Sequence, residues 1–200
     1  MSQTATHLHH FESAEAAASR LEKLDLGQAA RPLAMASGAD LAAAARALAA
    51  AGMVGDAVSV LGQALDKRAA VWWACLAARQ EPTPADTPLT MSRAESAALT
   101  AAEDWVRGPD AAKAHAAFAA AEAADMSSPA ACAALAAFFA GDSIAPLGGQ
   151  AVPPPDHVAG LVSAGAVQLA AVRYRPEIAP QTLAAFVDRG FAIAAGHDHW

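Results

Sequence analysis

The stretch LAAAARALAAAGMVGDAVSVLGQAL, residues 41–65, decides the fold class. Its second half spaces Val54, Val58, Leu61 and Leu65 by 4, 3 and 4 positions. That recurrence gathers side chains on one face of an α-helix and scatters them over both faces of a strand. Its first half puts Leu41, Ala45 and Leu48 in line over a helix from near Asp40 to Ala51. Gly52 lies between the two, and glycine is the residue that most readily leaves a helix in the left-handed conformation. Two helices joined through a glycine make an antiparallel hairpin, and the same grammar continues in both directions.

Upstream, Phe11, Ala14, Ala18 and Leu21 share a face of a helix running from about Ser13 to Leu24, with Glu15, Arg20, Glu22 and Lys23 on its polar side. Downstream, Asp66 reads as the N-cap of a helix holding Val71, Trp72, Trp73, Cys75 and Leu76, which stops before Pro82. Ser92 followed by Glu95 is a capping box opening a helix to Arg107. Gly108-Pro109 closes that helix and puts proline at the first position of the next, which runs to about Ala124. Ser128-Pro129 repeats the device for a helix ending at Gly141, with Cys132, Leu135, Phe138 and Phe139 as its apolar stripe. The next helix carries Val158, Leu161, Val162, Gly165, Leu169 and Val172 on one stripe. The last starts near Pro180, presents Leu183, Phe186, Val187 and Ile193, and stops at Gly196.

The expectation is therefore an all-α single domain of eight or nine short Ala-rich helices, packed as stacked antiparallel hairpins and without strands. Residues 1–12 are expected to be a flexible N-terminus and 13–80 an N-terminal helical half. Pro82, Pro84 and Pro88 stiffen a connector at 81–90, and a C-terminal half follows at 91–196. A second, Pro/Gly-rich connector interrupts it at 142–156, and 197–200 form a tail.

Composition agrees with this. Hydrophobic residues are 55% of the 200-residue chain, and 61 residues are alanine, the best helix former and a poor strand former. Low charge (16%) with high hydrophobicity excludes a disordered chain. Alanine gives up no rotamer entropy on folding but buries little area. Close approach at small faces such as Ala42 to Ala45 and Ala119 to Ala121 must then combine with a few large anchors, the four Trp and six Phe. The same Ala faces leave homo-oligomerisation open.

The formal net charge is −7, and the densest basic spot is Arg173 and Arg175 around Tyr174, so no nucleic-acid partner is expected. Val158 to Val172 is the nearest approach to a membrane span, but Ser163 and Gln168 interrupt it and Arg173 ends it, so no membrane is expected. Residues 1–15 hold neither the basic nor the apolar region of a secretory signal. Cys75 and Cys132 read as reduced thiols in apolar helices, and the protein as cytoplasmic.

Few residues suggest chemistry. His7, His9, His10, His197 and His199 would be weak zinc or nickel ligands if the termini met, although no helical i,i+4 pair occurs among them. Phosphate-binding loops, paired zinc thiolates and a G-x-S-x-G elbow are absent, so no cofactor is expected. The carboxylate pairs Glu103-Asp104 and Glu12/Glu15 read as solvated helix faces. Trp72, Trp73 and Trp105 are either core anchors or, where exposed beside proline-rich chain, an interaction surface. Pro153, Pro154 and Pro155 could likewise dock in a partner's aromatic groove, or simply order a connector.

Three resemblances accompany this reading. Gly141-Asp142-Ser143-Ile144 resembles the nucleophile block of GDSL-type hydrolases, which would make Ser143 the attacking group. The block lies late in the chain, after a helix, and no Asp-x-x-His follows near the C-terminus; a turn explains the same residues. Leu48 to Leu65, with Gly52, Ala57, Leu61, Ala64 and Leu65, resembles part of a tetratricopeptide repeat, which would imply a peptide-binding groove. Val71 to Arg79, Phe138-Phe139 through Ser143 to Pro146, and Val152 to Pro155 resemble an uncharacterised bacterial family of Ala-rich proteins, a domain of unknown function, over most of 40–195. That likeness implies one helical domain and no catalytic residue. The function expected is a non-catalytic protein-binding or accessory scaffold module of a bacterial assembly, with another protein as partner. A small-molecule or metal-binding helical protein, or a hydrolase using Ser143, is the alternative.

Overall fold

Short polar side chains set where most helices begin. Ser13, Asp40, Asp66, Asp110 and Ser128 each accept a hydrogen bond from the backbone N–H three residues on, at 2.7–3.2 Å, satisfying a donor the helix itself cannot. Ser92 and Glu95 form the full capping box: Ser92 Oγ accepts from the Glu95 N–H, and Glu95 Oε2 accepts from the Ser92 N–H at 2.7 Å. A computed structural model describes residues 7–9, 13–79, 90–198 and 200. Among them are α1 (Ala14–Leu21), α2 (Ala30–Met35), α3 (Leu41–Ala50), α4 (Val54–Ala64), α5 (Lys67–Ala78), α6 (Arg93–Arg107), α7 (Ala111–Ala123), α8 (Pro129–Ala140), α9 (Val158–Arg173) and α10 (Ala179–Ala194). A 3₁₀ turn, Pro176–Ile178, precedes α10. The expected all-α class holds, and no strand occurs among the described residues beyond an isolated bridge between Leu8 and Leu65.

Three details differ from expectation. Helix α2 is additional: six residues are too short for a period to show, and Pro32 sits in the first turn, where its missing N–H does no harm. Asp110, not Pro109, caps α7, so Pro109 lies outside that helix. The N-terminus is also not free where it is described. Residues 7–9 are held by hydrogen bonds from His7 N–H to Ala194 O, from Asp66 N–H to His7 O and from His9 N–H to Ala64 O. The C-terminal tail is held too: Trp200 lies under the Arg68 guanidinium, 4.3 Å from its ring centre, and 4.9 Å from the His7 ring. The proline-rich connector expected at 81–90, with Phe11, Glu12, His10 and His199, lies outside the described residues except at position 90.

Two clusters of buried side chains fill the interior. One gathers α1 to α4 and α10 around Leu21, Leu41, Leu48, Leu61 and Ile193; the other gathers α6 to α8 around Trp105, Val106 and Phe138. Helix α5 serves both: Trp73 and Ala77 enter the first, Val71, Ala74 and Cys75 the second. Helix α9 does the same with Ala164 and Val167 on one side and Ala166 on the other. The partition does not follow chain order, because α10 returns to pack on α4.

Small residues let α9 sit at the centre. Gly160 meets Gly62 of α4 backbone to backbone; a Cβ on Gly62 would lie 2.6 Å from the Gly160 carbonyl oxygen, and one on Gly160 would strike the Gly62 carbonyl. On α10, Gly190 lies over Trp73, with a would-be Cβ 2.7 Å from Leu61 Cδ2 and 3.2 Å from the indole. That indole donates from Nε1 to Phe186 O at 2.8 Å, so the largest buried side chain is satisfied as well as packed.

Candidate functional site

Helix α9 buries mostly small side chains, Val167 being the largest of them, and exposes both of its leucines. Ala159, Gly160, Ser163, Ala164, Ala166, Val167, Ala170 and Ala171 face inward. Leu161, Leu169 and Val172 face out, at 40%, 39% and 47% exposure. With about 100° between successive residues, these three and Gly165 fall within roughly 80° of arc. Half-buried Val158 and Val162 extend the same face. An apolar stripe ordinarily marks the inward side of a helix; here the inward side is mostly alanine, with Gly160, Ser163 and Val167, and α4, α5 and α8 all pack against the helix.

The stripe is held in a fixed setting. Gln168 at its edge donates from Nε2 to Gly55 O (3.3 Å) and Ser59 Oγ (3.2 Å) on α4. Val162, at the opposite edge, leans on the second core cluster. At its C-terminal end the Arg173 guanidinium donates to Glu95 Oε1 at 2.7 Å, tying α9 to the start of α6. That pairing, with the capping bonds from Ser92, holds the Glu95 carboxyl down at about 2. At its N-terminal end Gln63, buried in α4, donates to His157 O at 3.0 Å and accepts from Arg20. Lys67 and Arg20 both reach the Asp156 carboxylate and hold it below its usual range, Lys67 most strongly.

The tryptophans named from the sequence separate. Trp73 and Trp105 are buried core anchors, which corrects their place among the protein-binding candidates. Trp72, one position and 100° further round, is half-buried, packs against both clusters, and keeps its buried Nε1 without an acceptor among the described residues. Pro154 is buried while Pro153 and Pro155 are exposed, so the proline triplet is anchored at its middle.

Ser143 has a structural task. Its Oγ accepts from Ala145 N–H at 3.1 Å and Val152 N–H at 3.0 Å, while the Ile144 N–H donates to Val152 O, and these bonds close the 142–156 connector into a loop. Among the described residues, the histidines named from the sequence do not gather. His7 Nδ1 lies 3.2 Å from Asp66 Oδ2, His197 is exposed, and partial desolvation with nearby Arg20 pushes the His9 imidazole down. Among the described residues no three His, Cys, Asp or Glu side chains converge to hold a metal. His10 and His199 lie outside the described residues.

Glu103 corrects another expectation. It is 2% exposed rather than solvated, held in a fork by Arg79 through two bonds of 2.5 Å, with Arg107 at 3.2 Å on Oε2. Asp104 is the exposed partner of the pair and meets Arg107 at 2.7 Å. A groove of about 540 Å³ lies between α5 and α10, lined by Leu76, Arg79, Thr182, Phe186 and Arg189 among others. Both of its arginines already have partners, Glu103 and Asp198.

No helix among the described residues is long and apolar enough to cross a membrane. Nothing in the composition or spacing distinguished the outward stripe of α9 from a core stripe; only the alanines and glycines opposite it carried a hint. No curated protein and no solved structure matches the chain. Residues 44–194 match a family of unknown function (DUF6931), and the chain belongs to that family.

Proposed function

We propose that this member of the family is a non-catalytic protein-interaction module, an accessory part of a larger assembly, whose docking face is the outer side of α9. The observation that carries the reading is the row of large apolar side chains, Leu161, Leu169 and Val172, turned outward from a helix whose other side is buried against α4, α5 and α8. Contiguous apolar surface rimmed by polar groups marks docking sites on soluble proteins. The backbone beneath it is fixed by Gln168, Glu95 and Gln63, so a partner would meet a preorganised surface. Cys75 and Cys132 are both free thiols, which supports a reducing, cytoplasmic setting.

The alternative, a small-molecule site, would use the groove between α5 and α10, whose volume is in the range of ligand pockets. Its guanidinium groups are already neutralised by Glu103 and Asp198, which leaves less to recognise an anion with. A hydrolase built on Ser143 has less support still, because that hydroxyl already accepts from two backbone amides.

The test is photo-crosslinking in the native cell with a photoreactive residue at position 161 or 169, and at exposed Glu122 on α7 as control. Capture of a defined protein from 161 and 169 but not from 122 is expected. Equal or no capture at all three positions would remove the docking role.

A further inference from the structure

The centre line of the outer face of α9 is palindromic about Gly165, while its edges set half-buried Val162 against Gln168. Leu161 and Leu169 stand four residues to either side of the glycine, and Val158 and Val172 stand seven to either side. We propose that two copies of this chain pair through this face, their α9 helices antiparallel and crossing at Gly165; this rests on the docking role proposed above and names its partner. A two-fold contact requires that when residue i of one copy meets j of the other, j also meets i. An antiparallel crossing at 165 satisfies this, because each position before the glycine faces the equivalent position after it. Leu161 of one copy meets Leu169 of the other, and Val158 meets Val172.

Gly165 itself points outward for its explanation. Glycine inside a helix is destabilising relative to alanine. At Gly62, Gly160 and Gly190 the fold requires the missing side chain, since a Cβ there would collide with backbone, a leucine methyl or an indole ring. At Gly165 a Cβ would meet nothing within 4 Å. Gly55, in the first turn of α4, is equally open; what distinguishes Gly165 is its place at the centre of the apolar row, where a small residue would let a second helix axis approach to about 8 Å.

Charge favours the same partner. Between Val158 and Val172 no residue is ionisable, and Arg173 beyond them is held by Glu95. A partner recognised by charge would find none here, and two like copies meet no repulsion at their contact although each carries a formal net charge of −7. Area sets the strength. The face from 158 to 172 is about 21 Å long at a rise of about 1.5 Å per residue. A single pair of such helices falls short of the roughly 800 Å² per partner found in stable interfaces. The dimer is therefore weak and concentration-dependent.

Sedimentation velocity on the full chain over a dilution series is expected to show the mass rising from one 20.2 kDa chain toward two. Leu161→Glu with Leu169→Glu sets carboxylates against each other across the axis and is expected to weaken association at least about tenfold. Both positions are exposed, so the helical circular dichroism should not change. Gly165→Leu fills the notch at the crossing point and is expected to weaken association likewise, whereas Glu122→Leu on α7 is not. A chain that stays single at every concentration, or a dimer indifferent to the double glutamate variant, would overturn the pairing. If the chain stays single while photo-crosslinks at 161 and 169 still capture another protein, the docking role stands and the pairing alone falls. If neither is seen, both fall.

Discussion

At Gly190 the absence of a side chain is what allows α10 to lie on the Trp73 ring and its indole to reach Phe186 O. Gly190→Ala pushes a methyl group against Leu61 and the indole and is expected to cost about 1–3 kcal/mol, the usual range for overpacking a core. The midpoint of urea unfolding should fall with little change in slope. Glu103 offers a second test at this scale. Arg79→Ala together with Arg107→Ala would leave its buried carboxylate without a cation; both arginines are themselves more than half exposed, so water screens part of the loss and the cost is expected to be about 1–3 kcal/mol. Restoring neutrality with Glu103→Gln in that background should recover part of the loss, which a purely steric effect of the alanines would not allow. Nothing in the sequence separated Glu103 from Asp104: they are adjacent acids on one helix, and which is buried depends on where Arg79, on another helix, arrives.

Among the elements, α9 carries two glycines with opposite meanings. Gly160→Ala forces α4 and α9 apart at their backbone contact and should destabilise by about 1–3 kcal/mol, while Gly165→Ala meets open space and should stabilise the single chain by up to about 1 kcal/mol. Thermal unfolding of dilute protein checks both signs. Helix starts were legible because a cap is a local event: Ser92 with Glu95, Asp66 and Ser128 act on N–H groups three residues away. The interaction face was not. Periodicity identifies that Leu161, Gly165, Leu169 and Val172 share a side of α9, yet the direction of that side is decided by three neighbouring helices. Likewise adjacent Trp72 and Trp73 were one motif in the sequence and occupy different environments in the fold, since consecutive helical residues point about 100° apart. Helix α2 escaped notice because six residues make less than two turns.

For the molecule as a whole, the sharing of α5 and α9 between both core clusters predicts joint unfolding, with no half able to melt while the other keeps its packing. Trp73 reports on one cluster and Trp105 on the other, so in each single-tryptophan variant retaining one of them the urea transition seen by fluorescence should coincide with that same variant's helical circular dichroism. Acid should act through the Glu95–Arg173 tie between α6 and α9. The folded state keeps Glu95 ionised down to about 2, whereas the unfolded chain protonates it near 4.5. In that window the unfolded state binds more protons, so stability is present above about pH 4.5 and is lost as pH falls toward 2. Arg173→Gln should flatten this part of the profile. Above this stands the outward face of α9, the feature on which the functional reading depends. Its most direct test is carbene footprinting of Leu161, Leu169 and Val172 in the dilute purified protein and again in the cell. Labelling at these three residues is expected to drop in the cell, while exposed Met35 and Leu147 label alike in both. Equal labelling of the α9 residues in both settings would contradict a docking face there.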